Sequence, residues 1–317
     1  MNSLKVTMLG LRFLSNENIL KELAYWLHVM KRPQGWHYDM DETWMLENLE
    51  QAKLPKGATI LDAGAGLGVM QFVLAARGYN VVSLDFTKRA IPKEANGIFD
   101  VILDNQEDFE YKHSYQKFIV HSAGSVSGED IPPAPTLLDK FMAPNLLPRL
   151  FYKTKREVLH FIFRTIEKFK SNKQYGTITF VRGAFHEIPF GDNHFDALVS
   201  VSALEHADID MLDKNISEMV RVVKPDAPIL ISTSAIGDEK DFFDVKSQGW
   251  CFSSATMSRF ADNTVDEYAK CKDIEREILS SSVWQASLDS CYFLEANGHF
   301  YKKNISRLPY FPIGISR

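Results

Sequence analysis

Asp62, Gly64, Gly66 and Gly68 alternate with small and apolar residues directly behind the apolar pair Ile60 and Leu61, and Asp85 closes a second apolar run at residues 81–84. A glycine turn behind a strand lets the backbone come close to a ligand and aims the amides opening the next helix into the crevice. A carboxylate at the tip of the neighbouring strand stands where a ribose diol needs an acceptor. The chemistry is therefore recognition of a nucleoside. The spacing narrows it: a dinucleotide fingerprint needs a third glycine where this chain has Val69. A turn of the form D-x-G-x-G-x-G leaves room for an amino-acid moiety and no obvious cradle for a pyrophosphate.

At these residues the chain resembles the class I S-adenosylmethionine-dependent methyltransferases, and the resemblance continues in order. Residues 178–181 read as a third strand, and 183–190 (Gly-Ala-Phe-His-Glu-Ile-Pro-Phe) are similar to the family's adenine-side loop. Residues 192–201 lead into a fourth strand, followed by Ser-Ala-Leu-Glu-His at 202–206. Residues 219–223 end an apolar helical stripe, 224–226 turn, 228–232 supply a fifth strand, and 308–315 look like the last strand of such sheets. About half of the chain is covered. The resemblance implies a doubly wound, mostly parallel seven-stranded α/β sheet with a final antiparallel strand, and S-adenosyl-L-methionine as cofactor. It implies contacts from Asp62, Gly64, Ala65, Gly66, Gly68, Asp85, Phe86, Ala184, Phe185 and the carbonyl of Ser200. Many members carry an acid where this chain has Ala184, so the adenine is left to backbone amides at a cost of about 1 kcal/mol.

The elements that must position these residues are interrupted once. A parallel crossover needs about a dozen residues, yet residues 86–177 separate the second strand from the third. The expected organisation is an N-terminal helical cap over 1–56, a Rossmann-like domain formed by 57–90 and 176–317, and a mostly helical insertion over 91–175. Residues 122–135 of the insertion are polar and turn-rich, whereas 146–173 read as a long helix. The stretch 99–104 imitates the fourth-strand motif but follows no glycine-led third strand, so it is not assigned to that position. Between 146 and 173 eight Lys or Arg face two Glu, a local charge of +6 in a chain of net charge −5. This reads either as a solvated face on a lid helix or as a surface for an anionic acceptor or lipid headgroups.

A chain of 317 residues that is 45% hydrophobic buries a full core. The acidic balance argues against general nucleic-acid binding. Residues 1–14 lack a plausible cleavage site, no run is long enough to span a bilayer, and the three dispersed cysteines (Cys251, Cys271, Cys291) read as free thiols, so a cytoplasmic location is expected. The nine histidines show no metal-ligand spacing, and no metal is expected. Oligomeric state is left open.

Methyl transfer from a sulfonium is an in-line displacement in which orientation supplies most of the rate. A sugar or other aliphatic hydroxyl acceptor gains from a general base, typically about 10² to 10⁴ in rate. His206 is one candidate, with Glu205 as a possible orienting partner; the alternative is that it orders its loop. His37, in the aromatic segment 35–38, is the other, against a reading as a packed cap. Tyr38 and Trp250 are the candidate acceptor-binding aromatics. The expected function is methylation of a small polar acceptor at oxygen, a sugar or glycan-pathway intermediate. Two alternatives keep the pocket: a catalytically silent cofactor-binding partner protein, and an aminopropyltransferase, for which no acidic cluster around a polyamine is identifiable in the sequence.

Overall fold

A computed structural model describes residues 4–32, 34–106, 146–171, 173–237, 240–244, 247, 249–282, 284 and 308–317, with backbone alone for 146–153. The turn-rich stretch at 122–135, Cys291 and the side chains of Arg149 and Lys153 lie outside the described residues.

The chain opens with strand β1 (Lys5–Met8), helices α1 (Glu17–Met30) and α2 (Tyr38–Ala52), then β2 (Thr59–Ala63), α3 (Met70–Ala76) and β3 (Asn80–Asp85). There follow β4 (Val101–Asp104), α4 (Leu146–Phe169), β5 (Ile178–Arg182), β6 (Ala197–Ser200), α5 (Leu212–Arg221) and β7 (Ile229–Ala235). A hairpin of β8 (Phe242–Asp244) and β9 (Gly249–Cys251) precedes α6 (Ser254–Met257), α7 (Thr264–Tyr268), α8 (Cys271–Ser280) and the closing strand β10 (Phe311–Ser316). The main sheet has eight strands in the order β1-β10-β7-β6-β2-β3-β5-β4. β2 to β7 run parallel, while β10 is antiparallel to both β7 and β1.

This is the doubly wound, mostly parallel sheet expected from the sequence, with one strand more. Residues 101–104, inside the stretch denied the fourth-strand position, do form a strand, but as the outer edge beside β5, with Ile102 and Leu103 47% and 46% exposed. Residues 5–8, expected within the cap, pair with β10 and complete the opposite edge. The continuous apolar character of β2, β6 and β7 follows from their central place: a parallel strand covered on both faces has no solvent side on which to alternate.

Two contacts position the N-terminal helices. α2 approaches β10 at Gly314, where an added Cβ would stand 2.5 Å from the Trp44 ring, so only glycine admits this packing. α1 carries α4: the Tyr25 and Phe163 rings lie 4.9 Å apart, the Tyr25 hydroxyl donates to Glu167 at 2.7 Å, and Lys31 pairs with Glu157 at 2.7 Å. The opposite side of α4 is apolar and open, with Phe161 and Phe169 71% and 83% exposed beside Val158, Ile162 and Ile166.

Candidate active site

The tips of β2 and β3 are tied together by the turn itself. Gly64 and Ala65 donate their amides to the Leu84 carbonyl at 2.8 and 3.1 Å, and Gly66 donates to Asp85 Oδ2 at 2.8 Å. Gly64 and Gly66 hold φ of 73° and 44°, the left-handed region that glycine enters without strain. A Cβ on Gly64 would also meet Ala203 at 2.5 Å and the Phe185 ring at 2.7 Å, so the turn, the loop after β5 and the loop after β6 converge there. Asp85 Oδ1 accepts the amide and hydroxyl of Thr87 at 2.8 and 2.6 Å, which fills it, while Oδ2 holds one donor and keeps a lone pair for another. Gly183 donates to the Asp85 carbonyl at 3.0 Å, bringing Ala184 and Phe185 beside the same tip.

Asp62 lies beneath the turn at 2% exposure. Burial raises its carboxyl to about 7, against the pull of Arg89 and with the push of Asp85. Arg89 is stacked 4.3 Å over the Phe180 ring and donates to Ser83 Oγ at 2.8 Å and to the Ser83 carbonyl, and burial lowers its basicity.

α2 closes the site from the other side. Its N-cap residue His37 is 2% exposed, and Nδ1 lies 2.8 Å from Asp41 Oδ2, which also accepts the Ser232 hydroxyl at 2.9 Å. With a carboxylate on Nδ1, the neutral imidazole carries its proton there and presents Nε2 as the acceptor, 3.5 Å from the Tyr310 hydroxyl. Burial pushes the Tyr38 and Tyr310 hydroxyls upward in pKa, and carboxylates including Glu205 add to the shift of each. One turn on, Glu42 is 1% exposed and burial raises its carboxyl well above the ordinary range, with Asp39, Asp41 and Asp62 repelling it.

Glu205 and His206 sit in a 3-10 turn, Leu204–His206. Glu205 accepts the hydroxyl of Ser202, which has φ 46°, and that of Thr233 at 3.0 Å. The two hydroxyls thus occupy one oxygen each of the Glu205 carboxylate. His206 borders Gly249, whose added Cβ would stand 3.5 Å from its ring. Trp250, a candidate acceptor-binding aromatic, is in strand β9 with its ring 5.2 Å from Phe243. Burial raises the thiols of Cys251 and Cys271, the latter to about 11, so neither is a ready nucleophile. Among the described residues there is no cluster of three or more His, Cys, Asp or Glu able to hold a metal ion, and no helix long and apolar enough to cross a membrane.

Sequence reasoning singles out Asp62, the glycine turn, Asp85 and His37 as candidates. It missed the partners: Asp41, Ser232, Ser202, Thr233, and the carboxylates Asp39 and Glu42. Acids in the first turn of a helix ordinarily answer its dipole at the surface, so nothing in the run Tyr38-Asp39-Met40-Asp41-Glu42 marks burial.

The residues fit an S-adenosylmethionine group on this geometry. The turn has no Cβ where the nucleoside would approach, Asp85 Oδ2 keeps a free lone pair, and the buried Asp62 Oδ2 accepts no hydrogen bond among the described residues. Residues 159–231 match a family model described as a methyltransferase domain, a span running from within α4 into the start of β7. No curated protein matches the chain. Among solved structures it is similar to the PH0226 protein from Pyrococcus horikoshii, at 16% identity and a TM-score of 0.31 over 61% of this chain and 53% of that one. A phosphoethanolamine N-methyltransferase 2 from Haemonchus contortus, solved with S-adenosyl-L-methionine, shares 14% identity over 95% of this chain and 57% of its own, at a TM-score of 0.39. The YcgJ protein from Bacillus subtilis shares 14% over 86% of this chain and 96% of its own, at 0.36. The chain thus spans just over half the length of two of these three.

Proposed function

We propose that this chain is a class I S-adenosylmethionine-dependent methyltransferase that places the methyl group on an oxygen of a small polar acceptor, a sugar or other polyol of the cytoplasm. The observation that carries the reading is the bond from the Gly66 amide to Asp85 Oδ2, which joins the glycine turn to the acidic strand tip across one crevice. The cofactor when bound supplies an electrophilic methyl on a sulfonium whose departure needs no proton. The chain's own work is placement and proton removal.

In this reading Asp85 holds the ribose diol through the free lone pair of Oδ2. The amides of Ala184 and Phe185 would hold the adenine, and the carbonyl of Ser200 with the turn from Gly64 to Gly68 would hold the methionyl part. Ordering these contacts before the reaction is what converts a bimolecular collision into a positioned displacement. His37, held by Asp41 with Nε2 as acceptor, takes the hydroxyl proton as the bond forms, with Tyr310 beside it. His206 is the second candidate imidazole, and Tyr38 and Trp250 are the candidate acceptor-binding aromatics. An amine acceptor needs little such help, so the buried carboxylate–imidazole pair is the feature that favours oxygen.

The outer face of α4 fits an anionic lipid surface. Its exposed Phe161, Ile166 and Phe169 stand among exposed Lys155, Arg156, Lys168 and Lys170, the pairing of apolar stripe and basic flanks that settles a helix into headgroups.

The test is transfer of labelled methyl to a panel of polyols, glycans and amines, with His37→Ala and His206→Ala beside the wild type. Label on a hydroxyl, and a drop in kcat of about 10² or more for His37→Ala with cofactor affinity kept, is expected. Label on nitrogen with an unaffected His37→Ala turnover would remove the oxygen assignment. Absence of any affinity for S-adenosylhomocysteine would remove the methyl-transfer reading itself.

A further inference from the structure

α2 meets the sheet at two points one turn apart, and both lie at one level of it. Trp44 packs on Gly314 of β10, and Asp41, three residues earlier, accepts the hydroxyl of Ser232 on β7 at 2.9 Å. Gly314 and Ser232 are register partners across those two strands. The Trp44 ring occupies the place a Cβ on Gly314 would take and is itself buried, so the apolar contact seats the helix without the polar one. The polar contact acts on the imidazole. It falls on Asp41 Oδ2, the same oxygen that holds His37 Nδ1 at 2.8 Å, while Oδ1 receives no hydrogen bond among the described residues. Asp41 and Ser232 are both fully buried, so bulk water does not hold the carboxylate either. The Ser232 hydroxyl is what distinguishes Oδ2 from Oδ1. Without it the carboxylate turns about its own broad torsion, and the imidazole loses a fixed partner.

The hydroxyl is itself aimed. A serine Oγ carries one proton and two lone pairs, and it rotates to suit its neighbours. The Ser202 amide donates to Ser232 Oγ at 3.1 Å and to the Ser232 carbonyl at 3.2 Å, which fills a lone pair of Oγ and leaves its proton for Asp41. That amide points there because Ser202 holds φ 46°, a left-handed conformation that a residue other than glycine keeps only where its surroundings enforce it. Its own hydroxyl is tied to Glu205, and the next residue, Ala203, is the one a Cβ on Gly64 would meet at 2.5 Å. One connected path thus runs from the loop against the glycine turn, through Ser202, Ser232 and Asp41, to His37. We propose that Ser232, aimed by the Ser202 amide, is a positioning residue that fixes the His37 imidazole with Nε2 presented as the acceptor. Its use in catalysis rests on the methyl-transfer reading with His37 as base.

Proton NMR of protein labelled with nitrogen-15 histidine, free and loaded with S-adenosylhomocysteine, decides the point through the His37 Nδ1–H signal, which His37→Ala identifies by its loss. In the wild type that proton is expected far downfield and slow to exchange with water. Ser232→Ala is expected to speed its exchange about tenfold or more, because one hydrogen bond to the shared carboxylate oxygen is gone. The melting temperature should stay close to that of the wild type, since Trp44 still rests on Gly314. Ser232→Thr returns a hydroxyl and is expected to return slow exchange. Ser202→Gly enters the left-handed region freely and keeps the amide, so slow exchange is expected there too. Equal exchange in wild type and Ser232→Ala overturns the proposal, as does a wild-type proton that exchanges fast. Fast exchange in Ser202→Gly overturns the part given to its amide. Should Ser232→Ala not fold, Ser232→Cys, a weak donor of similar size, is read by the same signal and the same outcomes. Wild type without affinity for S-adenosylhomocysteine sinks the methyl-transfer reading, and the exchange comparison in the free protein still decides the role of Ser232.

Discussion

Asp62 illustrates how one buried side chain beneath the glycine turn makes stability depend on pH. Its carboxyl titrates near 7 in the fold because burial disfavours the charge, whereas an unfolded chain gives about 3.9. Between those values the folded state binds the extra proton, so the stability it contributes is full at low pH and is lost as pH rises through 7. Asp39 and Glu42 are shifted by burial in the same direction. The free protein should therefore melt lower with each step from about pH 4 to pH 8, and Asp62→Asn should flatten that slope while weakening S-adenosylhomocysteine binding. Scanning calorimetry across the range checks this; equal slopes for the two proteins would mean that Asp62 is ionised throughout. The same residue was legible in the sequence by its place before the glycines, but its raised pKa was not, because that depends on the burial the tertiary packing imposes on it.

Among the elements, α4 is the one whose two faces were only half readable. The sequence displayed a basic, helix-spaced segment ending at 173, and the structure ends the helix at Phe169. Tyr25, Lys31 and the His28 carbonyl engage one side through Glu167, Glu157 and His160, which leaves the apolar stripe of Val158, Phe161, Ile162, Ile166 and Phe169 pointing away from α1. Periodicity reveals that a helix has an apolar stripe; which side meets the protein depends on partners distant in sequence. Sedimentation should carry the protein with phosphatidylserine-rich vesicles and not with pure phosphatidylcholine, with release at raised salt as the screening length shortens. Phe161→Ser with Phe169→Ser should abolish it while leaving methyl transfer to a soluble acceptor intact. Equal sedimentation with both vesicle types would count against the charged surface.

At the scale of the whole molecule, the site exists because α2 is seated on β10 at Gly314, nearly the full chain away. A Cβ there would overlap the Trp44 ring at 2.5 Å. Gly314→Val should displace α2, lower the melting temperature by several degrees, about what 1–3 kcal/mol of overpacking produces in a domain of this size, and separate His37 and Asp41 from Ser232. Hydrogen exchange that remains unchanged in α2 would contradict this. The sequence by itself determined the parallel sheet, the glycine turn and the acid that ends β3, since these are local: a strand buried on both faces must be continuously apolar, and a turn that approaches a ligand must be glycine. It also located His37 as a candidate. Only the tertiary structure decided that β1 and β4 extend the sheet at its two edges, that Trp250 belongs to a hairpin, and that the first turn of α2 contributes buried carboxylates to the pocket. Those outcomes depend on which surfaces are removed from water together, and burial against a distant partner leaves no periodic mark in the residues that undergo it.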